Sequence, residues 1–475
     1  MSTQGMSTHN RMPAGVAAGH PDTARIGRAV LAAGGSAGDS VAAMILAGCV
    51  SETIFTGLGG GGFATHFDAH SGEVTCHDFF VAVPGLDGST PAAGRGISVS
   101  FGGVAVPYDV GGATVAVPGT PVGVEALHRA HGRLPWAQVV MPARDLALTG
   151  SSFVAAHADL LRDVAAAMVL GAGADAYVVA APDGSTTLLS ADDQLMHIGL
   201  AATLDILLES GAQGLMTGAF GHAFVAAVRE DGGALSLLDM ASYTSQTRKP
   251  RTVDFGDATL HLRGNDLDDV AGTLARLDKE ALRADDASRA LALVAALQGQ
   301  AVRSDTTSVV AVDRDGNACA ATHSLGLGSG IWVAGVHGNS MLGEGELLRG
   351  ALVPGERMGS MMSPLVATNA RGELVFAGGA AGGSRIRAAL LQVLGSVLVE
   401  GMELPQAIAR PRLAVGGSTV HLEPGFAPGV AEALAAAAYD VRHWDGAKPY
   451  FGGVSAASVT GPSADPRRGG LALLL

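Results

Sequence analysis

The sequence predicts a mixed α+β fold in which helices cover stacked β-sheets. Three observations support this class. Alanine-rich helical patterns near the N-terminus lead into a pair of strands, several more helices follow, and further strand pairs occupy the last third of the chain. This order differs from a regular βαβ repeat and is typical of helices packed on the outside of sheets. Because both halves contribute strands, we expect one intertwined domain.

The first 80 residues predict two packed helices and a hairpin. Gly34 and Gly35 stop the first helix, and Asp39 is placed to cap the second. Alternation of apolar and polar residues then predicts two strands joined by a tight turn. The predicted elements are helices at residues 23–33 and 39–50 and strands at residues 63–68 and 73–78.

The middle of the chain is predicted to be largely helical. Helical segments joined by short loops run through residues 118–230, and a β-like stretch covers residues 236–263. A long helix is predicted over residues 278–300, leading to a linker at Ser304 and Asp305.

The C-terminal third predicts a second hairpin and an amphipathic helix. Residues 306–312 and 318–324 alternate about an Asp-Arg-Asp-Gly-Asn turn, which has the residue types of a hairpin connection. Apolar residues at helical spacing then run from Ile386 to a stop near Gly401. A Gly-Gly-Ser run at the start of this helix has the features of an N-terminal cap.

Composition and charge exclude several classes of function. The 475 residues carry a net charge of −14 without a basic stripe, which argues against a nucleic-acid partner. The three cysteines are odd in number and widely spaced, and the 15 histidines include no His-Glu-x-x-His pattern, so neither a disulfide framework nor a metal site is indicated. No secretory signal and no run of about 18 apolar residues is visible. We therefore expect a cytoplasmic protein that uses no metal and no cofactor and binds no membrane.

Thr306 opens a predicted strand and is the leading candidate for catalysis. If the chain is cut before it, the new N-terminal residue carries both a hydroxyl nucleophile and an α-amine. That amine has a pKa near ~8, so a useful fraction is neutral at neutral pH and can take the proton from its own hydroxyl. This is the chemistry of N-terminal nucleophile hydrolases. Because β-branched residues favour strand starts in any case, other segments must support this interpretation.

Two other motifs indicate different functions, but the helices and strands predicted beside them are not those that the motifs require. Gly57, Gly59 and Gly62 match the spacing of a dinucleotide-binding loop, yet a helix precedes them and a strand follows, the reverse of what that motif requires. The Gly-x-Ser-x-Gly pattern around Ser36 is typical of serine hydrolases, which need a strand before the serine. A helix is predicted there, so an interhelical turn is the better interpretation.

Several segments, in order along nearly the whole chain, resemble the γ-glutamyltransferase (glutathione hydrolase) family. Each motif is weak alone, but their order and spacing together make chance agreement very unlikely. The matching segments are residues 34–39 and 57–63, Val-Pro-Gly-Thr at 117–120, Asp-Thr-Thr at 305–307 with Thr-His-Ser-Leu at 322–325, and residues 360–364, 382–386 and 465–468.

The resemblance implies a four-layer αββα sandwich of the N-terminal nucleophile hydrolase type and a precursor that cleaves itself between Asp305 and Thr306. It predicts a large subunit of residues 1–305 and a small subunit of residues 306–475, intertwined in one domain. Thr306 is then the nucleophile that forms an acyl-enzyme. Ser324 stands where the family has a threonine whose hydroxyl orients the nucleophile.

The resemblance also implies an oxyanion hole. It corresponds to the backbone N–H groups of Gly382 and Gly383, which precede a predicted helix, where unpaired donors and the helix dipole favour negative charge.

The positions that recognise substrate depart from the family pattern. The arginine that holds an α-carboxylate corresponds to Phe80, and the lost charge-assisted hydrogen bond is worth roughly 1.5–3 kcal/mol. The family's serine pair becomes Gly359 and Ser360, and the acidic pair that holds a substrate amine is represented by Glu344 and Glu346. Catalytic parts are therefore retained while recognition parts are changed.

Further departures lie near the nucleophile. Ser308 replaces a histidine and Gly326 replaces an asparagine of the family pattern, and Arg95 or Arg357 is a candidate replacement for the missing cation.

These observations predict a self-processing threonine amidohydrolase or acyltransferase that hydrolyses or transfers γ-glutamyl groups of glutathione-like compounds through an acyl-enzyme. Two alternatives stay open: an acylase or amidohydrolase of the same fold acting on a non-glutamyl amide, as in cephalosporin-type acylases or oxamate amidohydrolases, or an unprocessed, non-catalytic homologue. The expected partners are a small amide or peptide substrate, water or an amine acceptor, and the two fragments of the chain's own precursor.

Overall fold

A computed structural model describes residues 11–101, 104–180, 183–264, 267, 269–298, 306–345, 347–348 and 350–475. Before Thr306 the helices are α1 (Pro21–Ala32), α2 (Ala37–Ser51), α3 (Thr120–His131), α4 (Trp136–Thr149), α5 (Ala155–Met168), α6 (Gly173–Tyr177), α7 (Leu200–Thr217), α8 (Ala219–Glu230), α9 (Leu237–Ser242), α10 (Val270–Arg276), α11 (Lys279–Ala284) and α12 (Asp286–Leu297). After it they are α13 (Arg385–Leu394), α14 (Leu404–Ala409) and α15 (Pro428–Ala436).

Strands occur on both sides of Thr306. Before it they are β1 (Gly15–Ala18), β2 (Gly61–Phe67), β3 (Val74–Phe79), β4 (Arg95–Phe101), β5 (Val104–Val110), β6 (Ser151–Ser152), β7 (Val178–Ala180), β8 (Thr186–Leu188), β9 (Gln194–Leu195), β10 (Gln246–Arg248), β11 (Arg251–Phe255) and β12 (Ala258–Leu262). After it they are β13 (Thr307–Val312), β14 (Ala318–Ser324), β15 (Trp332–Val333), β16 (Val336–His337), β17 (Leu365–Asn369), β18 (Leu374–Ala381), β19 (Leu413–Gly416), β20 (Thr419–Leu422), β21 (Asp440–His443), β22 (Gly453–Ser458), β23 (Gly461–Ala464) and β24 (Leu471–Leu474).

Two antiparallel sheets contain most of these strands. The first has the order β10-β3-β2-β14-β13-β1-β24, and the second has the order β11-β12-β17-β18-β22-β23. Each sheet combines strands from before and after Thr306. The two parts of the chain therefore share both sheets.

The side chains of β13 explain how the sheets pack. Val309 and Ala311 join a core formed with α1, α2 and α4, whereas Val310 and Val312 point to the opposite face. There they pack with small residues of the second sheet, such as Ala377. This alternation follows from the period of two along a strand. The far face of the second sheet packs on α12 and α13.

These elements confirm the predicted mixture of helices and sheets and both predicted hairpins. The single helix predicted over residues 278–300 is wrong, because α11 and α12 are separate. Asp285 breaks the segment: its carboxylate accepts the N–H groups of Ala287 and Ser288 at 2.9 and 3.0 Å and caps α12. This local hydrogen bonding competes with helix continuation. Within the described ranges, no helix combines the length and apolar character needed to cross a membrane.

Candidate active site

Thr306 immediately precedes β13, an inner strand of the first sheet, and is only 2% exposed. The register of β13 and β14 pairs Thr307 with His323. The next position along each strand therefore brings Thr306 beside Ser324, and both residues line one small pocket. The Ser324 hydroxyl also accepts the N–H of Gly326 at 3.0 Å.

Two consecutive backbone N–H groups point at the Thr306 hydroxyl. Gly382 and Gly383 follow the end of β18 with φ angles of +116° and +55°, conformations that favour glycine. Their N–H groups donate to Thr306 Oγ1 at 3.1 and 3.0 Å. We call this segment the oxyanion turn. It places two donors beside the oxygen that attacks. In an acyl-transfer reaction negative charge develops on the carbonyl oxygen that this hydroxyl attacks, and donors in this place can stabilise it.

A small pocket lies on one side of Thr306, and we call it the Thr306 pocket. Its volume is about 10 Å³, roughly enough for one water molecule. Apolar side chains make up most of its wall. The lining residues are Phe80, Thr306, Ser324, Met341, Glu344, Leu347, Ser360, Met361 and Met362.

Glu344 is the carboxylate among the described residues of the Thr306 pocket. It is 2% exposed and accepts the hydroxyl of Tyr108 at 2.8 Å. Tyr108 also lies 2.7 Å from the Ser340 hydroxyl. Burial, followed by the charge of Glu344, raises the pKa of Tyr108, so this phenol stays a neutral donor to the carboxylate. Tyr108 therefore fixes Glu344 in place.

Phe80 is the residue that the sequence comparison placed where the family has an arginine. Its ring stacks on Phe63 with centroids 5.4 Å apart, and it is 1% exposed. Ser360 is equally buried, and its hydroxyl accepts the N–H of Met362 at 3.2 Å. Of the described residues that line this pocket, none is a lysine or arginine.

The two candidate replacement cations lie elsewhere. Arg357 lies 3.3 Å from the Asp78 carboxylate and 4.1 Å above the Tyr243 ring, beside a separate cavity of about 190 Å³. Arg95 is exposed on β4. Neither lines the Thr306 pocket, so the expectation that one of them replaces the arginine is wrong for this arrangement of side chains.

A second group of residues approaches Thr306 from the opposite side. Arg468 Nη1 donates to the Thr306 carbonyl oxygen at 3.4 Å, and the Thr307 hydroxyl donates to Glu52 at 2.6 Å. Sequence reasoning did not identify either neighbour as part of the site. The available signal was Glu52 itself, an isolated acid between the apolar helix α2 and the Ile54-Phe55 pair.

Most predicted site residues come together around Thr306. The oxyanion turn and four side chains (Phe80, Ser324, Glu344 and Ser360) surround it. Asp305 and Glu346 lie outside the described residues. The roles of all these residues in catalysis stay predictions.

The motifs that indicated other functions have structural explanations. Ser36 caps α2, with its hydroxyl and the Asp39 side chain each accepting the other's backbone N–H at 3.0 Å, which confirms the interhelical turn. In the glycine-rich loop, a Cβ on Gly59 would lie 2.1 Å from the carbonyl oxygen of His337. That glycine allows close packing of two chain segments. The part of the chain that is described holds no group of three or more His, Cys, Asp or Glu residues placed to bind a metal ion.

Comparisons with known proteins match nearly the whole chain. The family model described as Gamma-glutamyltranspeptidase matches residues 23–266 and 271–474. An acylase ACY 1 proenzyme of Pseudomonas sp. (strain V22) is 26% identical over 495 residues, covering 90% of this chain and 87% of its own. A glutathione hydrolase proenzyme of Pseudomonas aeruginosa is 25% identical over 545 residues, covering 95% and 93%.

A solved structure shows the same fold. The cephalosporin acylase from Bacillus halodurans superposes with a TM-score of 0.78 at 20% sequence identity, and the match covers 100% of this chain and 99% of that one.

Proposed function

Because the chain belongs to the gamma-glutamyltranspeptidase family, we propose that it is a self-processing threonine amidohydrolase that transfers the acyl group of a small amide through Thr306 to water or an amine. The observation that carries this proposal is the pair of N–H groups of the oxyanion turn, which converge on Thr306 Oγ1 at 3.1 and 3.0 Å. An ordinary tight turn before a helix does not require both donors to meet at one hydroxyl.

Self-cleavage comes first. The Thr306 hydroxyl adds to the Asp305 carbonyl carbon, and the C–N bond between the two residues breaks as the acyl group moves from nitrogen to oxygen. Water then hydrolyses this ester, which leaves a carboxylate on Asp305 and a free α-amine on Thr306. The acylase and glutathione hydrolase relatives are both named as proenzymes.

Turnover uses the new amine. In its neutral form it takes the proton of the Thr306 hydroxyl as that oxygen adds to the substrate carbonyl. The oxyanion turn stabilises the negative charge on the carbonyl oxygen, and the proton passes to the leaving amine. Water or a second amine then releases the acyl group from Thr306.

The side chains that line the Thr306 pocket favour a small, neutral, largely apolar acyl group, which they must move apart to admit because the pocket itself holds only about one water molecule. Phe80 and three methionines surround the nucleophile, and no cation among the described lining residues is available for an α-carboxylate. Burying a carboxylate without a partner is costly. We therefore propose an acylase-type substrate, with γ-glutamyl compounds disfavoured.

A γ-glutamyl substrate is the second candidate, and Glu344 is the observation that favours it. Its buried carboxylate beside Thr306 is suited to a substrate ammonium group. A glutamyl group offers that ammonium but also brings the α-carboxylate for which this pocket has no described cation.

Several related proposals extend this one. The packing of helices on the outer faces of two stacked sheets supports a four-layer αββα sandwich. The division into residues 1–305 and 306–475 and the cytoplasmic location stay predictions.

A substrate panel tests the proposed function. Purified protein is assayed with p-nitroanilides that carry short neutral acyl groups and with γ-glutamyl-p-nitroanilide, and Thr306→Ala serves as the inactive control. We expect kcat/KM to be higher for at least one neutral acyl group. Turnover of the γ-glutamyl compound alone would favour the second candidate, and equal rates for wild type and Thr306→Ala would contradict the mechanism.

A further inference from the structure

Glu52 lies at the C-terminal end of α2, in a place that is unfavourable for a carboxylate. It is 1% exposed, and it follows the last residue of the helix, where the helix dipole disfavours negative charge. Burial raises the pKa of Glu52 to about 7, although hydrogen bonds from Thr307 and Thr23 and the charge of Arg468 act in the opposite direction. Packing alone does not explain an acid at this position.

Both carboxylate oxygens of Glu52 accept hydrogen bonds from hydroxyl groups. The Thr307 hydroxyl donates to Oε2 at 2.6 Å, and the Thr23 hydroxyl donates to Oε1 at 3.1 Å. This arrangement suits the ionised form, because a protonated carboxyl group must use one oxygen as a donor. Thr307 is joined to Thr306 by a single peptide bond, so the Glu52 contact acts one residue from the nucleophile.

The surroundings of this pair are closed against solvent. A Cβ on Gly19 would lie 2.6 Å from Glu52 Oε2 and 3.0 Å from the Thr307 hydroxyl, so this glycine allows the chain to cover both groups. A cavity of about 10 Å³ remains beside them, also lined by Ser455, Asp465 and Arg468. Burial strengthens a charge-assisted hydrogen bond and makes its loss more costly.

We infer that Glu52 is a positioning residue, whose carboxylate holds the Thr307 hydroxyl and thereby fixes the peptide that presents Thr306 to the oxyanion turn. This inference rests on the proposed function, since it concerns the geometry of the same nucleophile. Arg468, near the C-terminus of the chain, holds the same peptide by donating a hydrogen bond to the Thr306 carbonyl oxygen.

Other titratable groups near Glu52 do not change charge near neutral pH. Burial raises the pKa of the Cys49 thiol, so it stays neutral, and burial lowers the pKa of His323 to about 3, so it is uncharged. Asp465 is ionised, because the charges of Arg412 and Arg467 lower its pKa against the effect of burial. Burial also lowers the pKa of His20, which follows the Gly19 that covers Glu52. Among these groups, Glu52 is the one whose pKa is raised to about 7.

Self-cleavage of the precursor isolates the contribution of Glu52. The uncleaved chain has no free α-amine on Thr306, so that group cannot add its own pH dependence, as it does in turnover. Full-length chain is made by cell-free translation, moved to buffers from pH 5 to 9, and followed over time on a denaturing gel. We expect the wild-type rate to fall as the pH drops through about 7, as Glu52 takes up a proton.

Three variants provide the comparison. Glu52→Gln and Thr307→Val keep the shape of the side chains. Each should slow self-cleavage about 10-fold or more at pH 8, and each should abolish the fall in the self-cleavage rate as the pH drops through about 7. Thr307→Ser keeps the hydroxyl and should restore the wild-type pH profile. Thr307→Val only replaces a buried hydroxyl with a methyl group. It therefore provides a test even if Glu52→Gln does not fold.

The outcomes separate the two proposals. If the wild type cleaves before Thr306 but Glu52→Gln and Thr307→Val keep its pH profile, the positioning role is wrong and the proposed function stands. A uniform slowing with an unchanged midpoint also overturns the positioning role, since it indicates a merely structural effect. If the wild type does not cleave at Thr306, the proposed function fails and this inference fails with it.

Discussion

The two sides of Thr306 differ in chemical character. On one side, the oxyanion turn supplies two N–H donors to the hydroxyl, and Glu52 holds the neighbouring Thr307. On the other side, the Thr306 pocket presents an aromatic ring, three methionines and a single described carboxylate. We propose that the polar side carries out the bond-breaking chemistry. We propose that the apolar side selects the acyl group, since it contains Phe80 and Ser360, two of the positions where the sequence departs from the recognition pattern that the resemblance implies.

Removal of the proposed nucleophile on the polar side should have the largest effect on activity. Thr306→Ala should abolish self-cleavage and lower turnover by at least about 10⁴-fold, because no hydroxyl is left to attack the carbonyl carbon. Thr306→Ser, which retains a hydroxyl, should still cleave at a reduced rate. A denaturing gel and an anilide assay measure both effects, and persistent activity in Thr306→Ala would assign the chemistry to another residue.

Disturbing the oxyanion turn should have the next largest effect. A Cβ at Gly382 would lie 3.0 Å from the Gly452 backbone at a φ of +116°, so Gly382→Ala should displace the donor. Loss of one such donor typically lowers kcat about 10²–10³-fold.

Gly372→Ala is the matched control for the oxyanion turn. It introduces the same kind of backbone strain at φ +77° with no heavy atom within 4 Å. Its kcat should stay within about twofold of wild type, since a surface turn supplies no donor to the reaction. Equal losses of kcat in the two variants would show that strain, and not the donor, is responsible.

Restoring the arginine probes the apolar side. Phe80→Arg should raise the ratio of kcat/KM for a γ-glutamyl anilide over a neutral acyl anilide by roughly 10- to 150-fold, the equivalent of one charge-assisted hydrogen bond of about 1.5–3 kcal/mol. Phe80→Leu, which keeps an apolar side chain beside Phe63, serves as the control for lost stacking. An unchanged ratio in Phe80→Arg would mean that this position does not select the acyl group.

The ionisation of Glu52 should also be visible in stability. Its pKa is raised from 4.5 to about 7 in the folded chain, so its contribution to stability is fully present below pH 4.5 and is lost as the pH rises through about 7. Going from pH 5 to pH 8, the melting temperature of wild type should fall relative to that of Glu52→Gln. Parallel curves for the two proteins would show that Glu52 does not titrate in this range.

The smallest expected effect concerns Ser36. Ser36→Ala should destabilise the protein by about 1 kcal/mol through loss of the α2 cap, with turnover within about twofold of wild type. Thermal unfolding and the anilide assay check this pair of outcomes. A loss of activity comparable to that of Thr306→Ala would revive the serine-hydrolase interpretation.

The sequence allowed prediction of the elements that depend on local pattern. The strands around the Asp313 turn follow from alternation, and Gly382 and Gly383 stand directly before an amphipathic helix. Phe80 is predicted to be a changed recognition position because the neighbouring motif residues fix its place in the chain, and this role stays a prediction. All of these are read from residues close together in sequence.

Contacts between distant segments were not predictable in the same way. Glu52 meets Thr307 across 255 positions, and Arg468 meets Thr306 across 162. Neither pairing has a sequence period or a spacing that marks it. The break at Asp285 was missed for a different reason, because one side chain capping two N–H groups overrides an otherwise continuous helical pattern.

The central claim is that one peptide bond, between Asp305 and Thr306, is broken to create the catalytic residue. Intact-mass spectrometry with N-terminal sequencing of freshly purified wild-type protein tests it most directly. We predict two polypeptides, the smaller of which begins with Thr306 and has the mass of residues 306–475. A single polypeptide of 475 residues, or a second chain that begins at any other position, would contradict the mechanism.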